Sequence, residues 1–184
     1  MRIISGKYGR RRFDVPKGFK LRPTTDLAKE ALFCMIQSMV DCEGLRVLDL
    51  FAGTGSIGIE FISRGAAWVD MVEKQPKQVA FIRNVLKELG AESVGAVSIG
   101  NVFKWLSPNT LEDHAPYDLI FADPPYALEQ LASLPHLVFE SGILVRGGFF
   151  ILEHPSEYNF EDTPYFVKHK QYSAVNFTLF RFSD

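Results

Sequence analysis

The sequence predicts an α/β fold: a doubly wound, seven-stranded, mostly parallel sheet that ends in an antiparallel C-terminal hairpin, with a small N-terminal β-hairpin and helix in front. Three observations predict it. From Arg46 onward, short apolar runs alternate with amphipathic stretches at helical spacing, the pattern of parallel strands joined by crossover helices. The first run is followed by Gly53-Thr54-Gly55-Ser56-Ile57-Gly58, a glycine-rich turn that opens a helix. The last two runs are joined by too few residues for a crossover, so they pair antiparallel.

The elements follow in order. Ile3 to Phe13 reads as a short hairpin with Gly6 and Gly9 as turn candidates. Pro23 breaks that unit, and Thr24 or Thr25 can cap the next one. Leu27, Ala28, Ala31, Leu32, Met35, Ile36 and Met39 repeat at helical spacing, so a helix with that apolar stripe is expected from Asp26 to about Met39. Arg46–Phe51 is the first buried strand, and Gly55–Gly65 the helix after it. Trp68–Glu73 is the second strand. Pro76 suits a helix first turn, and Val79, Ile82, Val85, Leu86 and Leu89 form the buried stripe of a helix ending at Gly90. Ser93–Ile99 is a weaker third strand, followed by a short helix from Val102 to Leu106. Tyr117–Asp123 is the fourth strand. Leu128 to Phe139 reads as helical, with Pro135 arguing for a kink or break. Gly147–His154, Phe166–Lys170 and Val175–Phe182 complete the strands.

The 184 residues suffice for one sizeable core, and 47% apolar with 23% charged residues is ordinary for a soluble globular chain. No stretch has the length of a membrane span, nothing resembles a signal peptide, and a cytoplasmic, monomeric protein is expected. Cys34 and Cys42 form no metal spacing with each other or with His114, His136, His154 or His169, so reduced thiols and no metal are expected. The net charge of −2 hides an asymmetry. Residues 1–22 hold eight basic side chains and one acid, Asp14, giving +7, and the other 162 residues carry −9. A basic arm on an acidic body fits a polyanionic partner, and Arg10-Arg11-Arg12 among glycines and aromatics favours nucleic acid over a merely solvated arm.

The chemistry concentrates at two strand ends. The glycine turn lets the backbone approach a ligand, and Glu73, ending the second strand 20 residues after Gly53, can accept hydrogen bonds from ribose hydroxyls. Asp49, at the end of the first strand, would repel a pyrophosphate but suits the cationic amino group of S-adenosylmethionine. This argues against NAD and an oxidoreductase; a carboxylate that caps the loop is the alternative, and both roles can coexist. The fourth strand ends in Phe121-Ala122-Asp123-Pro124-Pro125-Tyr126. Asp123 accepts, the prolines lack N–H but keep their carbonyls, and Tyr126 offers a stacking face. Such a lip fits a planar ring bearing an NH2 group; a purely structural turn is the alternative.

These motifs resemble those of the class I S-adenosylmethionine-dependent methyltransferases, Rossmann-like enzymes that modify exocyclic amines through an (Asp/Asn)-Pro-Pro-(Tyr/Phe) motif. Arg2–Phe13, Leu21-Arg22-Pro23-Thr24-Thr25-Asp26, Leu48–Glu60, Val72-Glu73-Lys74 and Asp118–Tyr126 together resemble the RsmD family, bacterial 16S rRNA guanine-N2 methyltransferases. The resemblance implies a basic extension, residues 1–23, on a methyltransferase domain, residues 24–184. It implies S-adenosylmethionine as cofactor, held by Thr24, Asp49, Phe51, Ala52, Gly53 and Gly55, with Glu73, Lys74, Asn101, Val102 and Asp123. Asp123, Pro124, Pro125 and Tyr126 would be catalytic. Lys7, Arg10, Arg11, Arg12, Arg22 and Tyr126 would hold the substrate, ribosomal RNA or an assembling small subunit. Two other targets remain open on the residues alone: adenine N6 or cytosine N4 in DNA, and RNA bound without catalysis by an assembly factor. The chain departs from the family pattern at three places. Phe51 stands where class I loops often carry glycine, Asn101 where an acid often meets the adenine amine, and Ser173 or Ala174 where a glycine often precedes the last strand.

Overall fold

The structure, a computed structural model, describes residues 1–19, 25–107 and 115–183. Seven strands form one sheet: β1 (Arg46–Leu50), β2 (Trp68–Glu73), β3 (Gly95–Ile99), β4 (Tyr117–Ala122), β5 (Leu144–His154), β6 (Phe166–Tyr172) and β7 (Val175–Arg181). Their order is β3-β2-β1-β4-β5-β7-β6. The strands from β1 to β5 pair in parallel, and β7 runs antiparallel to both β5 and β6. The chain reverses direction of travel across the sheet between β3 and β4, which leaves a crevice outside the carboxyl ends of β1 and β4.

Among the described residues, five helices flank the sheet: α1 (Asp26–Gln37), α2 (Ser56–Ser63), α3 (Pro76–Leu89), α4 (Val102–Trp105) and α5 (Leu134–Glu140). Each begins or ends where local chemistry dictates. Thr25 caps α1 by accepting a hydrogen bond from the Ala28 N–H at 3.1 Å, a contact worth about 1 kcal/mol. Gly90, in the left-handed region, stops α3. α5 starts only at Leu134, so the helix expected from Leu128 to Phe139 is broken just ahead of Pro135. Pro135 lies in the first turn of α5, where its missing N–H costs nothing, after a single 3-10 turn at Leu131–Ser133.

One helix faces the core differently from its apolar pattern. In α1 the expected stripe included Leu27, yet Leu27 is exposed and Lys29 is buried beside Leu32, Phe33 and Ile36. The helix is turned so that the Lys29 ammonium meets a buried carboxylate, Glu60 of α2, at 3.5 Å. Charge pairing between two helices decides the rotation here, and no periodicity in α1 alone records it.

The sheet separates two apolar layers. Ile3, Phe13, Leu32, Phe33, Val47, Phe61, Ile82 and Leu119 belong to one, and Leu48, Leu50, Ile120, Leu134, Phe150 and Phe180 to the other. The first layer includes the N-terminal hairpin, so that segment packs on the body. Its pairing is short: Ile3 N–H donates to the Arg11 carbonyl at 2.9 Å, Phe13 N–H to Met1 at 2.9 Å, and a single bridge joins Arg2 to Arg12. Of its two expected turn glycines, Gly6 has φ +80°, while the second left-handed residue is Arg10 rather than Gly9.

Gly6 is where the hairpin tip meets the end of α2. A Cβ at this position would lie 1.8 Å from the Ser63 carbonyl oxygen. Lys7 N–H donates to that same oxygen at 2.7 Å, and Tyr8 N–H to Ser63 Oγ at 3.0 Å. Gly6→Ala is therefore expected to push the tip off α2. The left-handed backbone alone contributes a loss of about 1–2 kcal/mol, and the broken contacts add to it; urea unfolding of the two proteins measures the difference.

Candidate active site

Strand register places three carboxylates together. Asp49 is level with Met71 of β2 and with Phe121 of β4. Side chains alternate faces along a strand, so Glu73, two residues beyond Met71, projects from the same face as Asp49, and Asp123 follows directly after β4. All three line one cavity of about 1060 Å³ at the carboxyl ends of the central strands. They share the lining with Asp26 and with three basic residues, Arg2, Lys17 and Lys74. Asp49 is 2% exposed, and its Oδ2 accepts from the Gly58 N–H at 2.9 Å. Burial pushes its carboxyl up to about 8; the Gly58 hydrogen bond opposes this, and Asp123 and Glu73 add to it. Asp49 thus caps the loop and faces the cavity at once. Gly58 permits this approach, since a Cβ there would sit 2.7 Å from the Met71 thioether and 3.1 Å from Asp49 Oδ2.

Glu73 braces the glycine loop from the other side. Its Oε2 accepts from Gly53 N–H at 2.8 Å and its Oε1 from Gln75 N–H at 2.7 Å. Gln78, with its amide turned, donates to the same carboxylate at 3.0 Å. The carboxylate is oriented before any ligand arrives. Gly53 (φ +59°), Gly55 (φ +73°) and Phe51 (φ +62°) all lie in the left-handed region. Phe51 is thus a bulky residue at a position whose backbone favours glycine, and its ring meets Phe103 edge-on at 6.4 Å. At another departure, Ser173 before β7 also has a left-handed backbone, φ +56°.

The lip after β4 is rigid. Leu128 N–H occupies the Pro125 carbonyl at 2.8 Å, whereas no described residue donates to the Pro124 carbonyl. Tyr126 is half-buried, with its hydroxyl 3.5 Å from Glu153 Oε1. Asp123, Pro124, Pro125 and Tyr126 all line the cavity, together with Phe51, Ala52, Gly53, Lys74, Asn101 and Val102. Asn101 uses its side-chain carbonyl to cap α4, accepting from Phe103 N–H at 3.0 Å. Gly55 is the N-cap of α2, behind the lining.

The expected substrate cations lie elsewhere. Lys7, Arg10, Arg11 and Arg12 are exposed on the hairpin and do not line the cavity. Arg11 pairs with Glu88 of α3 at 3.1 Å. Arg22 and Thr24 lie outside the described residues. Sequence reasoning missed Arg2, Lys17, Phe19, Gln78 and Phe103, which also line the cavity. Phe103 could have been found as an aromatic in the first turn of the helix after β3. Lys17 and Phe19 carry no local signal; the return of the hairpin strand brings them over the site, where Phe19 meets Phe81 of α3 edge-on at 6.0 Å. Among the described residues, no group of three His, Cys, Asp or Glu side chains is placed to hold a metal ion, and no helix is long and apolar enough to cross a membrane.

A mixed sheet in this strand order, with a glycine loop after β1 and an acceptor-rich lip after β4, defines a Rossmann-like methyltransferase fold. Over residues 1–181 the chain matches the family described as conserved hypothetical protein 95, and it belongs to that family, the RsmD methyltransferases. Among its relatives is the ribosomal RNA small subunit methyltransferase D of Buchnera aphidicola subsp. Baizongia pistaciae, 30% identical over 98% of this chain and 91% of that protein. Among solved structures, a hypothetical protein from Thermus thermophilus superposes with a TM-score of 0.82 at 28% identity, covering 98% of each chain. A methyltransferase solved in complex with SAH shares the fold at 17% identity, with a TM-score of 0.63 over 76% of this chain and 46% of that one.

Proposed function

We propose that this chain transfers a methyl group from S-adenosylmethionine to the exocyclic N2 amine of a guanine in small-subunit (16S) ribosomal RNA. The observation that carries the reading is the single cavity in which the Asp123–Tyr126 lip faces the Asp49–Gly53–Glu73 cradle. A relative named as a small-subunit ribosomal RNA methyltransferase, matched almost end to end, supports the RNA target.

The residues present fit the cofactor. Glu73 and Asp123 beside Asp49 disfavour a phosphate and favour a cation, whose arrival would draw the Asp49 proton off, and S-adenosylmethionine has a cationic amino group, a sulfonium and no phosphate. Asp49 would hold the amino group. Glu73, already fixed by Gly53 N–H, would accept from the ribose hydroxyls with its remaining lone pairs, beside Lys74. Phe51, Val102 and Phe103 give an apolar wall for a purine, and Asn101 flanks it.

When bound, the cofactor supplies a methyl carbon already activated on sulfur. The protein's part is presentation. An exocyclic amine is a weak nucleophile because its lone pair is delocalised into the ring. The Asp123 carboxylate and the Pro124 carbonyl accept hydrogen bonds from the two N–H groups, which fixes the nitrogen and favours its pyramidal form. The prolines keep the carbonyl from turning away, and the Tyr126 ring stacks on the base. Both acceptors would stabilise the positive charge that develops on the amine nitrogen during transfer. One N–H proton then leaves to Asp123 or water. Positioning and aimed acceptors account for the acceleration. Lys7, Arg10 and Arg12 grip RNA phosphates outside the cavity, so binding should weaken steeply with salt.

The test offers labelled S-adenosylmethionine with small-subunit RNA, with small-subunit particles and with DNA, followed by mass spectrometry of nucleosides. Label in guanine N2 of the ribosomal RNA is the expected result. Label only in DNA, or RNA binding without transfer to any ribosomal substrate, overturns the reading.

A further inference from the structure

Both ends of α2 are clamped to the N-terminal segment, through Lys29, Glu60 and Ser63, which lie outside the cavity, and Ser56 at its edge. At its carboxyl end, Ser63 holds the hairpin tip, donating from Oγ to the Ser5 carbonyl at 2.5 Å and accepting from Lys7 and Tyr8. One turn earlier, Glu60 is fully buried and its four acceptor positions are filled: Ile4 N–H at 2.8 Å, Ser5 N–H at 3.0 Å, Arg64 Nε at 2.9 Å and the Lys29 ammonium at 3.5 Å. At the amino end, the same ammonium, 1% exposed, donates to Ser56 Oγ at 3.1 Å and to the Arg2 carbonyl. Ser56 is the first residue of α2, directly after the glycine loop, and lines the cavity. The helix is about 12 Å long. It therefore works as a short strut between the basic hairpin and the methyl-donor cradle.

We propose that Lys29 and Glu60 are positioning residues for methyl transfer: they lock the hairpin and the glycine loop to one strut, and so set the offset between gripped RNA and the methyl donor. A role in stability alone explains the pair poorly. Burying both charges is costly, and such pairs are often replaced by apolar residues without loss of stability. What an apolar pair would not reproduce is the directional hold on Arg2, Ser5 and Ser56 together. Burial works to lower the Lys29 ammonium's pKa, and the Glu60 carboxylate beside it is the main opposing influence. The proposal rests on the RNA-methylation reading above.

The test is the double variant Lys29→Met, Glu60→Gln, which removes both charges and keeps the bulk. Affinity for S-adenosylhomocysteine, by calorimetry, and for small-subunit RNA, by filter binding, should stay within about threefold of the parent. kcat should fall by at least ~10-fold, the scale of an ångström-sized misplacement. An unchanged kcat, or a loss wholly accounted for by weaker cofactor binding, overturns the proposal. If the double variant does not fold, Ser56→Ala removes only the hydrogen bond to Lys29; kcat equal to the parent in that protein overturns the proposal, and a several-fold fall with unchanged melting temperature supports it. A parent protein that methylates no ribosomal RNA overturns the functional reading instead, so the two failures are read separately.

Discussion

Asp123→Ala is expected to lower methyl transfer to small-subunit RNA by at least ~10²-fold, the usual cost of losing one group aimed at charge that develops in the transition state. RNA affinity should change little, because Lys7, Arg10 and Arg12 lie on the hairpin, away from the lip. The contrast between transfer and binding is the informative readout: labelled-methyl incorporation beside filter binding of the same RNA. Asp123→Asn sharpens it. Asparagine keeps an acceptor oxygen but takes up no proton at neutral pH. Substantial activity in that variant would show that Asp123 acts by presenting the amine, and loss equal to that of alanine would show that its charge or basicity is required. Full activity of Asp123→Ala would remove the lip from the mechanism.

Asp49→Asn is expected to make the protein more stable and its cofactor binding much weaker. In the folded chain, burial lifts the Asp49 carboxyl from 3.8 to about 8, with Gly58 N–H opposing and Asp123 and Glu73 reinforcing. The sign follows from proton linkage: the folded state holds the Asp49 proton more tightly than the unfolded one. Stability contributed at this site is therefore greatest at acid pH, declines as pH rises from about 4 to about 8, and levels off above that. Asparagine keeps an acceptor for Gly58 N–H but carries no charge, so its advantage over the parent should grow across the same window. Urea unfolding at pH 5, 7 and 9 measures it. Cofactor binding should show the opposite. A cationic amino group next to Asp49 favours the carboxylate, so S-adenosylhomocysteine should bind the parent more tightly as pH rises toward 8, and its binding at neutral pH should release protons. In Asp49→Asn that dependence should vanish and affinity should fall at least ~10-fold, as for a lost hydrogen bond to a charged group. Calorimetry in buffers of different ionisation enthalpy reads both.

The strands and most helices are legible in the chain because their causes are local. Apolar runs of five or six residues, Pro76 at a helix start and Gly90 at its end specify β1, β2, β4 and α3 within a few residues of their own positions. The glycine loop and the Asp-Pro-Pro-Tyr lip are legible for the same reason: a tight turn and a donor-poor tetrapeptide are properties of neighbouring residues. α1 shows where this stops. Its apolar spacing placed Leu27 on the buried stripe, but Lys29 lies inside because its counter-charge, Glu60, sits on another helix. Phe51 and Ser173 stood out in the sequence only as departures from a family pattern; the backbone angles of +62° and +56° show what glycine ordinarily provides at those positions.

By itself, then, the sequence determined the order of elements, the cradle and lip motifs, and the charge difference between a +7 arm and a −9 body. The doubly wound order already implies that cradle and lip meet; tertiary structure decided how closely their acids approach and how deeply they are buried. Strand register, level from Met71 through Asp49 to Phe121, sets Glu73 beside Asp49 with Asp123 just past the end of β4; burial lifts the Asp49 carboxyl to about 8, and these two acids add to it. The Lys29–Glu60 clamp likewise exists only after folding, since its members are 31 residues apart and its backbone partners lie in a third segment. Both depend on through-space electrostatics and packing between distant parts of the chain, and neither leaves a periodicity or a motif in the linear sequence.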